Sequence, residues 1–397
     1  MMINNQVYDG VICFGGVDWW YHNRGHYDLQ IMRELGRSLP VLYVNSIGMK
    51  TPQVSEGGMF FRRVMRKLRS LRRGLNRIDD GFYVYSARTP PGPSLVSSFF
   101  ARRLAAQVNR CARRVGIHYP LLWVACPPAA YVLEQIPHAG LVYQRTDRME
   151  EFSGVDRELI AGLDQQLKAR ADVTVFCATE LYQAEADQCR KAAFVDHGVD
   201  FERFATAGKA NVSPDDVLDI PRPRVGFVGG IDAHTFDADL FTDVARELPD
   251  YQFVLVGASS LPSDRLTLPN VHQLGQRPYE SVPAYMAACD CLIMPWNRNE
   301  WIRACNPVKL KEYLATGRPV VSTPFPELAG YLGHVREAET AQAFALAIRE
   351  AVTEAGDPEH RRSRVHNHTW AQKAADTRKA LEQVGLRAQA PIEAGAS

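Results

Sequence analysis

The residues best suited to chemistry lie together in CNPVKLKEYLATGRPVVST, residues 305–323. Asn306 is a good helix N-cap and Pro307 suits the first helical position. The spacing predicts a helix from Pro307 to about Thr316, stopped by Gly317 and followed at once by the strand PVVST. Its first turn, around Asn306, Pro307 and Val308, offers free backbone N–H groups at the positive end of the helix dipole, which is an anion site. Lys309 adds a point charge suited to a diphosphate. Glu312 is three residues on and shares that face; a carboxylate can accept both hydroxyls of a ribose diol. Diphosphate beside ribose is half of a sugar nucleotide. A capped surface helix with an i,i+3 ion pair explains the same residues, and local physics does not separate the two.

Two further clusters follow strand-like runs. In FGGVDWWYHNRGHYDL, residues 14–29, Gly15 and Gly16 allow a tight turn, and Asp18, Arg24 and His26 could face a ligand. A turn with a helix cap explains Gly15, Gly16 and Asp18 equally well. In YQRTDRMEEF, residues 143–152, Asp147 stands just past a strand end, where a carboxylate can take a proton from a hydroxyl. The alternative is that Asp147 caps the next short segment. Arg145 and Arg148 could instead pair with a pyrophosphate-linked acceptor. Asp237-Ala238-Asp239 has the form of a metal-binding acidic pair, but its position suits the start of a helix better.

The elements that must position these groups are short apolar strands alternating with amphipathic helices. The strand runs are 11–15, 40–46, 82–86, 121–126, 140–145 and 172–177, then 224–229, 251–257, 270–275, 291–296 and 318–323. Such near-continuous apolar runs suit parallel strands buried on both faces. Helices are expected at 155–170, 237–247 and 340–354. The pattern predicts an α/β fold of two Rossmann-like domains with parallel sheets, facing across a deep cleft. The polar, proline-bearing stretch 204–223 reads as a linker. The expected layout is 1–205 and 206–367, with a helix at about 368–386 returning to the first domain and a disordered tail at 387–397.

Composition narrows the classes. The chain has 397 residues, enough for two domains, and a formal net charge of +1, so no global polyanion-binding signal exists. Eight cysteines scattered in apolar runs read as reduced, buried thiols. No secretory leader or transmembrane run is evident, so a cytoplasmic protein with at most peripheral membrane contact is expected. A dinucleotide oxidoreductase is disfavoured, because FGGVDW and GFVGGID lack the G-x-G-x-x-G spacing.

The helix at 305–323, with RVGFVGGID at 224–232, PNVHQLGQRPYESVPAYMAACDCLIMPW at 269–296 and VDHGVDFERF at 195–204, resembles the GT-B glycosyltransferases. The pattern resembles in particular family 4-like and xanthan glucuronosyltransferase-like enzymes of bacterial surface polysaccharide synthesis. The resemblance spans most of the chain. It implies a nucleotide-sugar donor, with a UDP-sugar favoured, and no cofactor or obligatory metal. It implies that Gly229 and Gly230 approach the donor phosphates, that Gln276 and Arg277 flank the base, and that Trp296 and Asn297 line the base or sugar pocket. Lys309 would hold the diphosphate, Glu312 the ribose, and Asp147 would be the catalytic base. One departure stands out. Retaining family 4 enzymes carry an acidic residue eight positions before the ribose glutamate, and here that position is Ala304. A catalytically silent relative that binds a sugar nucleotide or a partner protein is the alternative.

Residues 60–77, FFRRVMRKLRSLRRGLNR, contain Arg62, Arg63, Arg66, Lys67, Arg69, Arg72, Arg73 and Arg77 with no acidic residue. An apolar stripe runs through them at helical spacing. Such a helix suits the anionic inner surface of a cell membrane, with no nucleic-acid partner expected; a core-packed helix is the plain alternative. SFFARRLAAQVNRCARR, residues 98–114, reads as a core-packed helix with a charged outer face. The acceptor expected from all this is a lipid-linked or cell-surface glycan.

Overall fold

The computed structural model describes residues 6–21, 25–49, 65, 69–90, 97–152, 154–210 and 213–389. The chain divides into two compact units, Met1–Asp196 with Lys373–Ser397, and His197–Gln372.

The first unit holds β1 (Gln6–Tyr8), β2 (Gly10–Phe14), β3 (Val41–Val44), β4 (Leu75–Asp79), β5 (Phe82–Tyr85), β6 (Pro120–Val124), β7 (Gly140–Arg145), β8 (Val173–Phe176) and β9 (Ala192–Phe194). Eight of them form one sheet in the order β4-β5-β3-β2-β6-β7-β8-β9, and within it only β4 is antiparallel to its neighbour. β2, β3, β6, β7 and β8 are buried along their whole length, as near-continuous apolar runs require. The strand order turns back at β2 and β6, and ligands in such sheets bind beyond the carboxyl ends at that reversal.

The second unit holds β10 (Arg224–Val228), β11 (Gln252–Val256), β12 (Val271–Gly275), β13 (Cys291–Met294), β14 (Val320–Ser322) and β15 (Arg336–Glu337). They form an all-parallel sheet in the order β12-β11-β10-β13-β14-β15. This is the doubly wound Rossmann order, with its reversal between β10 and β13. Helices stand at Arg157–Arg170, Ala238–Glu247 and Ala341–Thr353, where periodicity placed them. The α/β class with two Rossmann-like domains is therefore the fold of the chain.

Three boundaries differ from expectation. The stretch 204–223 is not a linker. It carries the helices Phe201–Ala210 and Asp215–Leu218 and belongs to the second unit. Phe204, Ala205 and Val217 are buried there, and Arg224 donates to the carbonyls of Ile220 (2.7 Å) and Leu218 (3.1 Å). The units meet at Asp196/His197 and again at Gln372/Lys373, inside the Trp370–Gln383 helix. The tail begins later than 387, because β16 (Leu386–Ala388) pairs in parallel with β1. The basic helix also ends early. Helical backbone at 69–73 stops at Gly74, where φ is +61°, and β4 follows. Arg77 is thus a strand residue paired with Asp80, and Leu75 packs on the core.

Phe204→Ala should lower unfolding stability by about 3–5 kcal/mol, the cost of an aromatic cavity in a core. Denaturant unfolding showing a loss under 1 kcal/mol would restore the linker reading.

Candidate functional site

The carboxyl ends of β10 and β13 bring together what lay far apart in sequence. After β10, Gly229 donates its N–H to Val256 O at 2.9 Å, and Gly257 donates to Gly275 O at 2.9 Å. A Cβ on Gly257 would collide with Gly229 O, and a Cβ on Gly229 would collide with Lys309 Nζ. Only glycine lets these backbones and the lysine share the space.

Lys309 lies in the first turn of the Val308–Thr316 helix. Its Nζ stands 4.2 Å from the Phe227 ring centre and 5.9 Å from that of Trp296. Among the described residues it makes no hydrogen bond or ion pair. Burial lowers its pKa to about 8 against the opposing pull of Glu312, Cys305 and Asp232. Glu312, also buried, is raised to about 7 by burial, with the Tyr279 hydroxyl and Lys309 acting the other way. Tyr279 donates to Glu312 Oε1 at 3.2 Å. Lys309 and Glu312 therefore do not form the surface ion pair that local sequence also allowed. The helix is fixed on both faces: the Tyr313 hydroxyl, one turn on from Lys309, accepts the Val228 N–H at 2.8 Å, and the fully buried Lys311 donates to His197 O.

The cap differs from expectation. Pro307 is the N-cap, Val308 opens the helix, and no side chain caps it, so Asn306 has a different role. Gly317 does stop the helix, at φ +77°. The uncapped first turn leaves its anion-binding N–H groups to another acceptor.

Other residues of the expected donor set are tied to the protein. Arg277 bonds Asp216 Oδ2 at 2.6 Å and the Tyr285 hydroxyl at 2.9 Å, which pins the Asp215–Leu218 helix. Asn297 donates to Ala233 O at 2.9 Å, holding the loop after Gly230. Asp232 locks the same loop by accepting from the His234 and Thr235 N–H groups. Trp296 is buried against Phe325, while Gln276 and Gly230 are exposed. Asp237 caps the Ala238–Glu247 helix through the Leu240 N–H, and Asp239 pairs with Arg265, so the acidic pair is consumed structurally. Ala304 is buried, and Glu300 turns outward to Arg303 at 3.2 Å.

In the first unit, a Cβ on Gly15 would collide with the Tyr43 ring. The Tyr43 hydroxyl lies 2.7 Å from Asp28 Oδ2, which also accepts the Gly16 N–H at 2.8 Å. Asp28, which the sequence did not single out, is the anchor of this glycine turn. Asp18 accepts from the Trp20 N–H (2.9 Å) and the Ser70 hydroxyl (2.8 Å), and Ser86 and Asn45 extend the network. His26 is exposed at the start of the Tyr27–Gly36 helix. Arg24, Arg62, Arg63, Arg66 and Lys67 lie outside the described residues, whereas Arg69, Arg72 and Arg73 are exposed.

Asp147 is half-buried just past β7. Burial raises its pKa, against the Thr146 hydroxyl and Arg145. Arg148, not Asp147, stands at the N-cap of the following turn, so the carboxylate is not used as a cap. Arg145 is a different case from the ligand-facing cation expected. It is 1% exposed and grips Glu150 (2.8 and 2.9 Å) and Glu185 (3.1 and 3.2 Å), with Asp164 at 3.3 Å. Lys168 closes the cluster on Asp164 and Glu185.

Burial pushes the Glu150 and Glu185 carboxyls up, but the Arg145 guanidinium outweighs it and holds both below the usual carboxylate value. Their contribution to stability is present above the unfolded pKa and is lost as pH falls through the folded one. Arg145→Ala should therefore cost about 3–5 kcal/mol near neutral pH. Denaturant titrations should show the gap from wild type closing as pH falls below 4.5, the unperturbed glutamate value.

Residues 222–354 match the family described as Glycosyl transferases group 1. TuaH of Bacillus subtilis (strain 168), named as a teichuronic acid biosynthesis glycosyltransferase, is 29% identical over 251 residues. That alignment covers 58% of this chain and 61% of TuaH, so the chain spans less than two thirds of this relative. Sucrose-phosphate synthase from Thermosynechococcus elongatus superposes with a TM-score of 0.67 at 14% identity, covering 95% of this chain and 99% of that one. Anabaena HepE in complex with UDP gives 0.63 at 15% identity, with coverage of 94% and 99%. A trehalose 6-phosphate synthase from Burkholderia multivorans gives 0.63 at 13%, with coverage of 95% and 97%. At such identities the superpositions speak for the fold. Together with the strand order of both sheets they show the GT-B fold of two Rossmann-like domains, and residues 222–354 carry the match to the Glycosyl transferases group 1 family.

Proposed function

We propose that the chain moves a sugar from a nucleotide-sugar donor, with a UDP-sugar favoured, to a lipid-linked or cell-surface glycan in bacterial polysaccharide synthesis. The observation that carries this is Lys309. An ammonium without a protein anion, set over Phe227 beside the bare backbone of Gly229 and at an uncapped helix start, awaits a diphosphate. Glu312, buried one turn on, suits the ribose diol. Complexes of HepE with UDP and with UDP-glucose favour uridine as the base.

Asp147 is the base for an acceptor hydroxyl, supported by its raised pKa and its position past a strand end. Transfer proceeds without an obligatory metal. Lys309 and the helix start supply positive charge, and the acidic pair at 237–239 is occupied structurally. Peripheral contact with the inner face of the cell membrane involves the basic residues of 60–77, of which Arg69, Arg72 and Arg73 are exposed. Among the described residues no helix is long and apolar enough to cross a membrane. Ala304 favours a second reading, a silent relative that binds the donor without transfer, since Glu300 pairs outward with Arg303.

Lys309→Ala should weaken UDP binding roughly 10- to 100-fold, the worth of a charged hydrogen bond. Unchanged affinity for UDP, GDP and dTDP sugars alike would remove the donor site. Lys309 is charged below about 8 and Glu312 above about 7. Calorimetric affinity for UDP should therefore peak between these values and fall on both sides; a flat profile would show that neither ionisation matters. Asp147→Asn should keep donor affinity and lose transfer by about 10²–10⁴-fold. Full turnover in that variant would strike Asp147 from the mechanism, and absence of turnover in wild type with every donor bound would favour the silent reading.

A further inference from the structure

Among the described residues, arginine side chains with neither a hydrogen bond nor an ion pair are unevenly placed. Elsewhere arginines find carboxylates, as Arg157 finds Glu151, Arg190 finds Asp172 and Arg265 finds Asp239. Apart from Arg387, every unpartnered arginine lies between residues 69 and 114. The only acidic residues in that span are Asp79 and Asp80, and both are taken, by Arg33 and Arg77.

Half of these arginines, Arg103, Arg110, Arg113 and Arg114, stand on one helix, Ser98–Arg114. Its inner face, Ala101, Leu104, Ala105, Val108 and Ala112, is buried in the core of the first unit. At about 100° per residue, Phe99, Arg102, Arg103, Ala106, Arg110, Arg113 and Arg114 share an arc of about 120° on the opposite side; all are exposed. The helix is about 25 Å long at 1.5 Å per residue. Arg103, Arg110 and Arg114 also flank a groove of ≈ 490 Å³, which Arg88 closes from the strand side. At the N-terminal end two large apolar side chains face solvent. Phe99 is 63% and Phe100 37% exposed, and their rings pack edge to face at 5.4 Å. The expectation of a core-packed helix thus holds for one face and leaves these two rings without a core.

Unpartnered like charges along a rigid helix repel one another, and an anionic surface relieves that repulsion. Exposed aromatic rings beside them match the apolar margin of a lipid layer. Nucleic acid is the poorer match, since no aromatic interleaves the arginines to stack on bases. We propose that the outer face of the Ser98–Arg114 helix docks the protein on an anionic phospholipid surface, with the arginines on lipid phosphates and Phe99 and Phe100 entering the acyl margin. This rests on the membrane part of the proposed function and adds a second contact beside the 60–77 segment.

The test is flotation of the full chain with phosphatidylcholine vesicles, with and without phosphatidylglycerol. Wild type should bind only the phosphatidylglycerol vesicles. Combined Arg103→Glu, Arg110→Glu and Arg114→Glu should weaken partitioning by about 100-fold or more, each arginine near the surface counting for roughly a fivefold factor. Phe99→Ser with Phe100→Ser should abolish the binding that persists at high salt. Thermal unfolding of each variant should match wild type, because these side chains leave the core. If the triple variant floats like wild type while reversal of Arg66, Lys67 and Arg69 releases the protein, this proposal fails and membrane contact belongs to residues 60–77. If wild type never floats, both fail. Tighter binding to a single-stranded oligonucleotide than to vesicles at the same salt would overturn the lipid assignment.

Discussion

A cation held against apolar rings, with bare backbone on its other side, is the constraint on which the second unit depends. Lys309 Nζ over Phe227 has given up part of its hydration and has no protein anion in exchange. The arrangement persists because the sheet order reverses between β10 and β13, which opens a crevice that no strand fills. Gly229 and Gly257 are needed because any Cβ would occupy the space of the lysine or of the neighbouring turn. Tyr313, one turn on from Lys309 on the same face, and Lys311 on another face secure the helix.

The first unit treats charge at its strand ends in the opposite way. Arg145 ends β7 with its guanidinium enclosed by three carboxylates, and Lys168 shares two of them. Such a cluster adds little net stability over an apolar core, but removing one member strands the others. Two residues later Asp147 is half-buried and stands outside that cluster, and burial raises its pKa. The Asp18 network and the Asp28 anchor do similar work around the Gly15 turn.

The strong elements were legible in sequence because their signal is local. Buried parallel strands need unbroken apolar runs, and the three long helices showed clean 3.6-residue periodicity. The elements that were not legible are those whose stability comes from partners distant in sequence. β4, β9, β15 and β16 are short, all but β9 carry polar residues, and each exists because a neighbouring strand satisfies its backbone. The Phe201–Ala210 helix looked like a linker because its buried face consists of few residues, Phe204 and Ala205 among them.

The sequence by itself determined the α/β class, the two series of strands, the helix at 308–316 with its glycine stop, and the presence there of Lys309 and Glu312. These follow from residue type and short-range spacing. Only the tertiary structure decided the roles of the charges. Arg145, Arg277 and Asp18 turned out to be partners within the protein, Lys309 did not, and Phe99 and Phe100 faced solvent beside unpartnered arginines. A side chain's charge is written in the sequence, but whether that charge is neutralised depends on which carboxylate the fold brings within hydrogen-bond distance, and Glu185 lies forty residues from Arg145.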